Sequence, residues 1–213
     1  MVRVTDRVHC VEVARADGLI TQVYILSCEG GLILVDVGFT QLCLDNISDE
    51  LKGIGKAWGD IKMILITHAH GDHIDNLKKV LNLAGGPEVL VGEGDEGMLA
   101  EQTGVKANAL LDTGDLISAC GGIEVIRVPG HSNGNLCFYL REERALIVGD
   151  TIFGNKDGTL YPPPEKYSSD ATLAARGLNK LLDYDFDMLL LAHGINILSG
   201  ARRRVEDLVD TIV

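Results

Sequence analysis

The sequence predicts an α/β chain in which two packed β-sheets carry helices on both outer faces. This is a four-layer αβ/βα sandwich, formed as a single domain over residues 1–213. Three observations predict it. The first half reads β-β-β-α-β-α-β-α, a meander of strands fills the middle, and the chain closes α-β-α. That mixture suits two sheets with outer helices better than one all-parallel sheet. A chain of 213 residues also buries about 70% of its unfolded surface, enough for a core that needs no disulfide.

Short apolar runs bounded by Gly, Asp or Pro mark strands near 8–14, 21–28 and 31–37. A helical pattern over 41–55 follows, then a strand I-K-M-I-L-I at 61–66 and a helix over 73–84. A strand near 88–91 precedes a helix near 93–103. The meander comprises strands near 115–119, 123–128, 135–141 and 144–149. Residues 154–167, G-N-K-D-G-T-L-Y-P-P-P-E-K-Y, form a loop, because a proline triplet fits neither a helix interior nor a central strand. Ser168-Ser169-Asp170 is a cap signal for a helix near 169–182, and a strand near 187–192 follows. Val205, Leu208, Val209 and Ile212 stand at helical spacing in the last helix, 199–212.

Apolar residues make up 46% of the chain and charged ones 23%, a globular composition. The longest apolar runs are five residues, as in Met188 to Ala192, far short of the about 20 a spanning helix needs. Neither a membrane nor, at a net charge of −12, nucleic acid is an expected partner. The N-terminus lacks the apolar region of a secretory signal, so a cytoplasmic location is expected. Cys10, Cys28, Cys43, Cys120 and Cys137 form no C-x-x-C pair and are expected to be reduced core residues. Arg202, Arg203 and Arg204 diverge by about 100° per residue on a helix and so form no coherent anion patch.

The chemistry concentrates in the histidines. Thr67-His68-Ala69-His70-Gly71-Asp72-His73 follows the strand at 61–66, at the end where α/β proteins place their sites. His68 and His70 share a direction in extended backbone, and Gly71 is expected to turn the chain so that Asp72 and His73 face a second point. That is a ligand set for two metals about 3.5–4 Å apart. Three more apolar strands end in a metal-competent residue: His131 in V-P-G-H-S, Asp150 in L-I-V-G-D-T, and His193 after M-L-L-L-A. One such residue ending a strand is ordinarily a turn or a cap. Four strands using five of the six histidines point to a shared site, and His9 alone stands outside it.

T-H-A-H-G-D-H, P-G-H-S, G-D-T and A-H-G, in this order, resemble the metallo-β-lactamase fold superfamily, and Asp36 in L-V-D-V-G matches its opening aspartate. The resemblance implies one metal at His68, His70 and His131, a second at Asp72, His73 and His193, and Asp150 bridging both. Asp36 would support the ligand loop without touching metal. Common β-lactamases carry Cys where this chain has Asp150, and many carry Arg at His73. Diiron flavoproteins usually carry Glu in place of His70. The set is most similar to glyoxalase II, lactonases and related hydrolases. The helical C-terminal part through which glyoxalase II holds glutathione is expected to have no counterpart in the 20 residues after His193.

The implied function is a dinuclear hydrolase of a small ester, thioester or lactone, acting through a metal-bridging hydroxide with Asp72 and Asp150 as catalytic carboxylates. The implied cofactors are two divalent ions, zinc first, with iron or manganese as alternatives. A mononuclear iron oxidoreductase of the persulfide dioxygenase kind, or a non-catalytic metal-binding module, are the competing readings. Tyr161, Tyr167, Asn155 and Asn196 are candidate substrate contacts, being polar and near the ligand-bearing segments.

Overall fold

Strict alternation of side chains builds three apolar cores between four layers. In the computed structural model, which describes residues 2–14 and 20–212, seven strands lie side by side in chain order. They are β1 (Val2–Arg3), β2 (Val8–Ala14), β3 (Ile20–Cys28), β4 (Gly31–Val35), β5 (Ile61–Leu65), β6 (Glu88–Gly92) and β7 (Ala109–Leu111). The first four pair antiparallel and the last four parallel. Helices α1 (Gln41–Gly53), α2 (Gly71–Ile74), α3 (Leu77–Ala84) and α4 (Glu96–Thr103) connect them. Leu32 and Leu34 of β4 pack with α1 and α3 residues such as Ile47, Leu51 and Val80, while Ile33 and Val35 enter the core between the sheets.

The second sheet contains β8 (Leu116–Ile117), β9 (Ile123–Arg127), β10 (Leu136–Leu140), β11 (Ala145–Ile147) and β14 (Met188–Leu190), in the order β14-β11-β10-β9-β8. A small hairpin, β12 (Phe153–Gly154) with β13 (Leu160–Tyr161), interrupts the chain before β14. Leu136, Phe138 and Leu140 face the first sheet. Cys137 and Tyr139 of the same strand face the outer core, which helix α6 (Ala201–Asp210) and the 3₁₀ turn Leu178–Asp183 that follows helix α5 (Ala171–Gly177) help to cover. No helix among the described residues is long and apolar enough to cross a membrane.

Several expectations are refined. The predicted helix at 73–84 is two helices broken at Asp75–Asn76, where Asn76 Nδ2 donates to the carbonyls of Val37 and Thr40. The helix near 169–182 opens on an Asp170 cap as expected but continues after Gly177 as a 3₁₀ turn. The proline loop carries β13, and the short strands β1, β7 and β12 have too few residues to show a period. Gly71 is not a left-handed turn; it is the first residue of α2, and the change of direction comes from the extended backbone of His70 before it.

One expectation is overturned. Cys28 and Cys120 form a disulfide across a sequence separation of 92, with Cα atoms 4.7 Å apart. The end of β3 meets the turn after β8 there, a long-range contact that cysteine spacing does not encode. Cys10, Cys43 and Cys137 are free and buried, and burial pushes each thiol up to about 12. The three arginines diverge as expected: Arg202 reaches Glu206 and the Leu182 carbonyl, Arg203 reaches Asp207, and Arg204 donates to the Gly158 carbonyl.

Candidate metal centre

The four strand ends named above meet at one end of the sandwich. His68 and His70 come from the loop after β5, and Asp72 and His73 from α2. His131 follows β9, Asp150 follows β11, and His193 follows β14. Their ligand atoms fall into three overlapping groups: His68, His70 and His131; His68, His73 and Asp150; Asp72, His73 and His193. Within each group every pair lies within 4.8 Å.

Asp150 divides the site. Its Oδ2 lies 3.3 Å from His131 Nε2 and 3.9 Å from His68 Nε2. Its Oδ1 lies 3.2 Å from His73 Nε2 and 3.3 Å from His193 Nε2. Asp72 closes the second side, with Oδ2 at 3.3 Å from His193 Nε2 and Oδ1 at 3.9 Å from His73 Nε2.

The outer nitrogens explain why the inner ones are presented. His73 Nδ1 donates to Asp36 Oδ2 at 2.8 Å, and His193 Nδ1 donates to the Ile20 carbonyl at 2.8 Å. His68 Nδ1 lies 3.1 Å from Thr67 Oγ1, which itself donates to Asp36 Oδ2. An imidazole that spends its Nδ1–H on an acceptor leaves Nε2 with a free lone pair, the form that binds a metal. Asp36, at φ +61° just beyond β4, also accepts from the Thr67 amide at 2.8 Å.

The donor set fits cations. His68 and His131 face each other Nε2 to Nε2 at 3.1 Å. His73 Nε2 and Asp150 Oδ1 are buried without a hydrogen bond, although an unsatisfied buried polar atom ordinarily costs about 1–3 kcal/mol. Charge separates the two sides further. Burial, then neighbouring imidazolium charge, holds His68 and His70 below the usual imidazole range. Burial opposes the charged forms of His73 and His193 too, but Asp150 with Asp36 or Asp72 outweighs it. His73 is held well above the usual range, and His193 is pushed up to about 10. Burial acts against ionised Asp72, yet His193 and His73 bring it down to about 2.

The family model for the metallo-beta-lactamase superfamily matches residues 16–193. The chain belongs to this superfamily. Its sandwich overlays a superfamily protein from Thermus thermophilus with a TM-score of 0.77 at 21% identity, covering 98% of this chain and 80% of that one. The fold is equally close to a flavo di-iron protein mutant from Thermotoga maritima, with a TM-score of 0.76, 16% identity, and coverage of 96% and 59%. Curated relatives named hydroxyacylglutathione hydrolase match in part. One from Francisella philomiragia is 36% identical over 102 residues, 47% of this chain and 38% of its own length. One from Prochlorococcus marinus is 30% identical over 127 residues, 56% and 47% respectively. The chain thus spans less than half the length of these relatives.

Superfamily membership implies divalent metal binding, and the seven residues expected as ligands lie together in the three overlapping groups. Sequence reasoning fared less well on the cleft beside them, a cavity of about 800 Å³. Tyr161 and Tyr167 line it. Asn155 closes a turn with Thr159, and Asn196 points inward, donating to Gln22 Oε1 and accepting from Tyr24 Oη. Lys156, Lys166 and Phe153 also line the cleft and went unnoticed, because lysines in an exposed loop carry no pattern. His9 lies outside the centre, buried with its Nδ1 3.0 Å from Glu50 Oε1.

Proposed function

We propose that the chain acts, as one domain over residues 1–213, as a metal-dependent hydrolase holding two divalent ions. One would be held by His68, His70 and His131 and the other by Asp72, His73 and His193, with Asp150 between them. The observation that carries this reading is Asp150, whose two oxygens each face a different set of imidazoles. Zinc suits a set made only of nitrogen and oxygen donors.

Bound divalent ions supply a water acidified to near neutrality and an electrophile for a substrate carbonyl. The chain's own part is to hold that centre and exclude alternatives. Asp36, Thr67 and the Ile20 carbonyl keep three imidazoles in the metal-binding tautomer. Asp72 and Asp150, the carboxylates assigned to catalysis, stay ionised at neutral pH. Phe153 stacks against His193 with centroids 5.2 Å apart and walls the second side with an apolar face.

The substrate class is small esters, thioesters or lactones. The relatives named hydroxyacylglutathione hydrolase support an acyl thioester, and the two cleft lysines in a chain of net charge −12 favour an acyl compound carrying negative charge. Zinc- and iron-loaded protein should be assayed on an ester, a thioester and a lactone, each with and without a carboxylate. Oxygen uptake on glutathione persulfide should be followed in parallel. Acyl hydrolysis with about two ions per chain is the expected result; one ion with persulfide oxidation and no hydrolysis would replace this reading with the dioxygenase.

A further inference from the structure

Asp95 is a fully buried carboxylate that the seven-ligand pattern does not contain. It precedes α4, and its partners lie on the two loops that bring the first group together. Oδ2 accepts from the Ala69 amide at 2.9 Å, and Ala69 stands between His68 and His70. The same oxygen accepts from Ser132 Oγ at 2.7 Å, and Oδ1 accepts from the Gly134 amide at 2.7 Å, just beyond His131. The backbones approach so closely that a Cβ on Gly134 would lie 2.5 Å from the Asp95 nitrogen, and one on Gly92 would lie 1.9 Å from the Gly134 oxygen. Only glycine permits that approach.

The two sides of the centre need different support. His73 is oriented through its own ring by Asp36. His131 has no such contact: its Nδ1 is buried without a hydrogen-bond partner. Its Nε2 meets other members of the centre, Asp150 Oδ2 at 3.3 Å and His68 Nε2 at 3.1 Å, and the backbone on either side of the residue ties the ring to the rest of the fold. One side of that backbone is held by the Ser169 and Asp170 amides on the His131 and Gly130 carbonyls, the other by Asp95 through Ser132 and Gly134.

We infer that Asp95 is the positioning residue of the His68, His70 and His131 group, setting the spacing of His70 and His131 as Asp36 sets His73. The inference rests on the dinuclear reading above. It acts through the loops and touches neither imidazole nor substrate. Asp95→Asn would turn one acceptor into a donor facing Ala69 or Gly134, whereas Ser132→Ala would remove one contact and leave both amides paired.

Cobalt(II) titration of chelator-treated protein, read by its visible absorption, tests this without any assay of turnover. His193→Ala confines tight binding to the first group and His70→Ala confines it to the second. In the His193→Ala background, Asp95→Asn is expected to weaken cobalt binding about 10–100-fold, the usual effect of losing a residue that orients ligands. Ser132→Ala should weaken it several-fold. In the His70→Ala background both should leave affinity unchanged. Unchanged affinity in the first background, or equal loss in both, would overturn the role of Asp95 while leaving the dinuclear reading intact. If Asp95→Asn does not fold, Ser132→Ala alone decides. Wild-type protein that binds no cobalt would overturn the dinuclear reading and this role together.

Discussion

The two sides of the centre differ electrically: His68 and His70 on one side and His73 and His193 on the other are pushed in opposite directions from the ordinary imidazole value. On the first side burial and neighbouring imidazoles favour neutral rings, with His68 and His70 held below the usual range. On the second, carboxylates favour charged rings, and His193 rises to about 10 beside an Asp72 lowered to about 2. One side is already in the form a metal requires; the other is a closed set of ion pairs that must give up protons first. Two sides that draw on one short loop thus differ because of what the other elements deliver, Asp72 and His193 on one hand and His131 on the other, with Asp150 between them.

The largest effect is expected at the residue the two sides share. Asp150→Ala should leave both groups without their common oxygen donor, so metal content should fall from about two ions to near zero and hydrolysis to background. His9→Ala, with its buried Glu50 contact elsewhere, should leave metal content unchanged while costing about 1–3 kcal/mol of stability. Elemental analysis and circular dichroism check both. Retention of one full equivalent by Asp150→Ala would show that the two sides do not depend on a shared ligand.

A smaller effect on both sides is expected at Thr67, whose hydroxyl joins Asp36 to His68 and lies 3.5 Å from His73 Nδ1. Thr67→Val should weaken metal binding about 10–100-fold, and Thr67→Ser should restore it. Isothermal titration would separate the two equivalents. A loss confined to one of them would mean that Thr67 serves a single side.

Much of this was legible in the sequence for a simple reason. Every residue of the expected set lies at or shortly beyond the end of an apolar strand, and four of the seven fall within residues 68–73, so local pattern and strand order sufficed to group them. The four-layer arrangement was legible too, since runs such as Leu136–Leu140 send alternate residues to two different cores. What escaped was non-local. Asp95 finds its three partners 26, 37 and 39 residues away, and the disulfide spans 92. Asn196 looked like a cleft residue because it follows His193 closely, but its side chain turns into the buried Gln22 and Tyr24 network.

Proton release sharpens the contrast between the sides directly. At pH 7 metal-free His73 and His193 are protonated, since both are raised above the ordinary imidazole value, whereas His68 and His70 are neutral. Filling the second side should therefore release about two more protons than filling the first, measured by zinc titration in buffers of different ionisation enthalpy. The sign of the stability effect follows. Groups raised on folding stabilise most below their unfolded value, and that contribution is lost as pH rises through the folded one. Metal-free protein should accordingly lose stability between pH 7 and 10, and zinc should remove much of that dependence. Equal proton release from both sides would erase the distinction.

The smallest effect on the centre is expected from the disulfide. Ile20, whose carbonyl holds His193, begins β3, and Cys28 ends it. Nine residues of strand put the bond roughly 25 Å from the metal centre. Closing a loop of 92 residues restricts the unfolded chain and should stabilise the fold by about 4.6 kcal/mol. Cys28→Ser with Cys120→Ser should lower the denaturant midpoint accordingly while leaving two metal equivalents, their affinities and their difference in proton release unchanged. The Gln22 amide on the Ala192 carbonyl ties β3 to the chain after β14 near the centre, and the disulfide ties the other end of β3 to the turn after β8, so the alternative is specific. If removing the bond weakened only the His68, His70 and His131 side, the sheet packing, rather than the ligand loops, would set the spacing of that group, and the electrical account of the two sides would have to yield to a mechanical one.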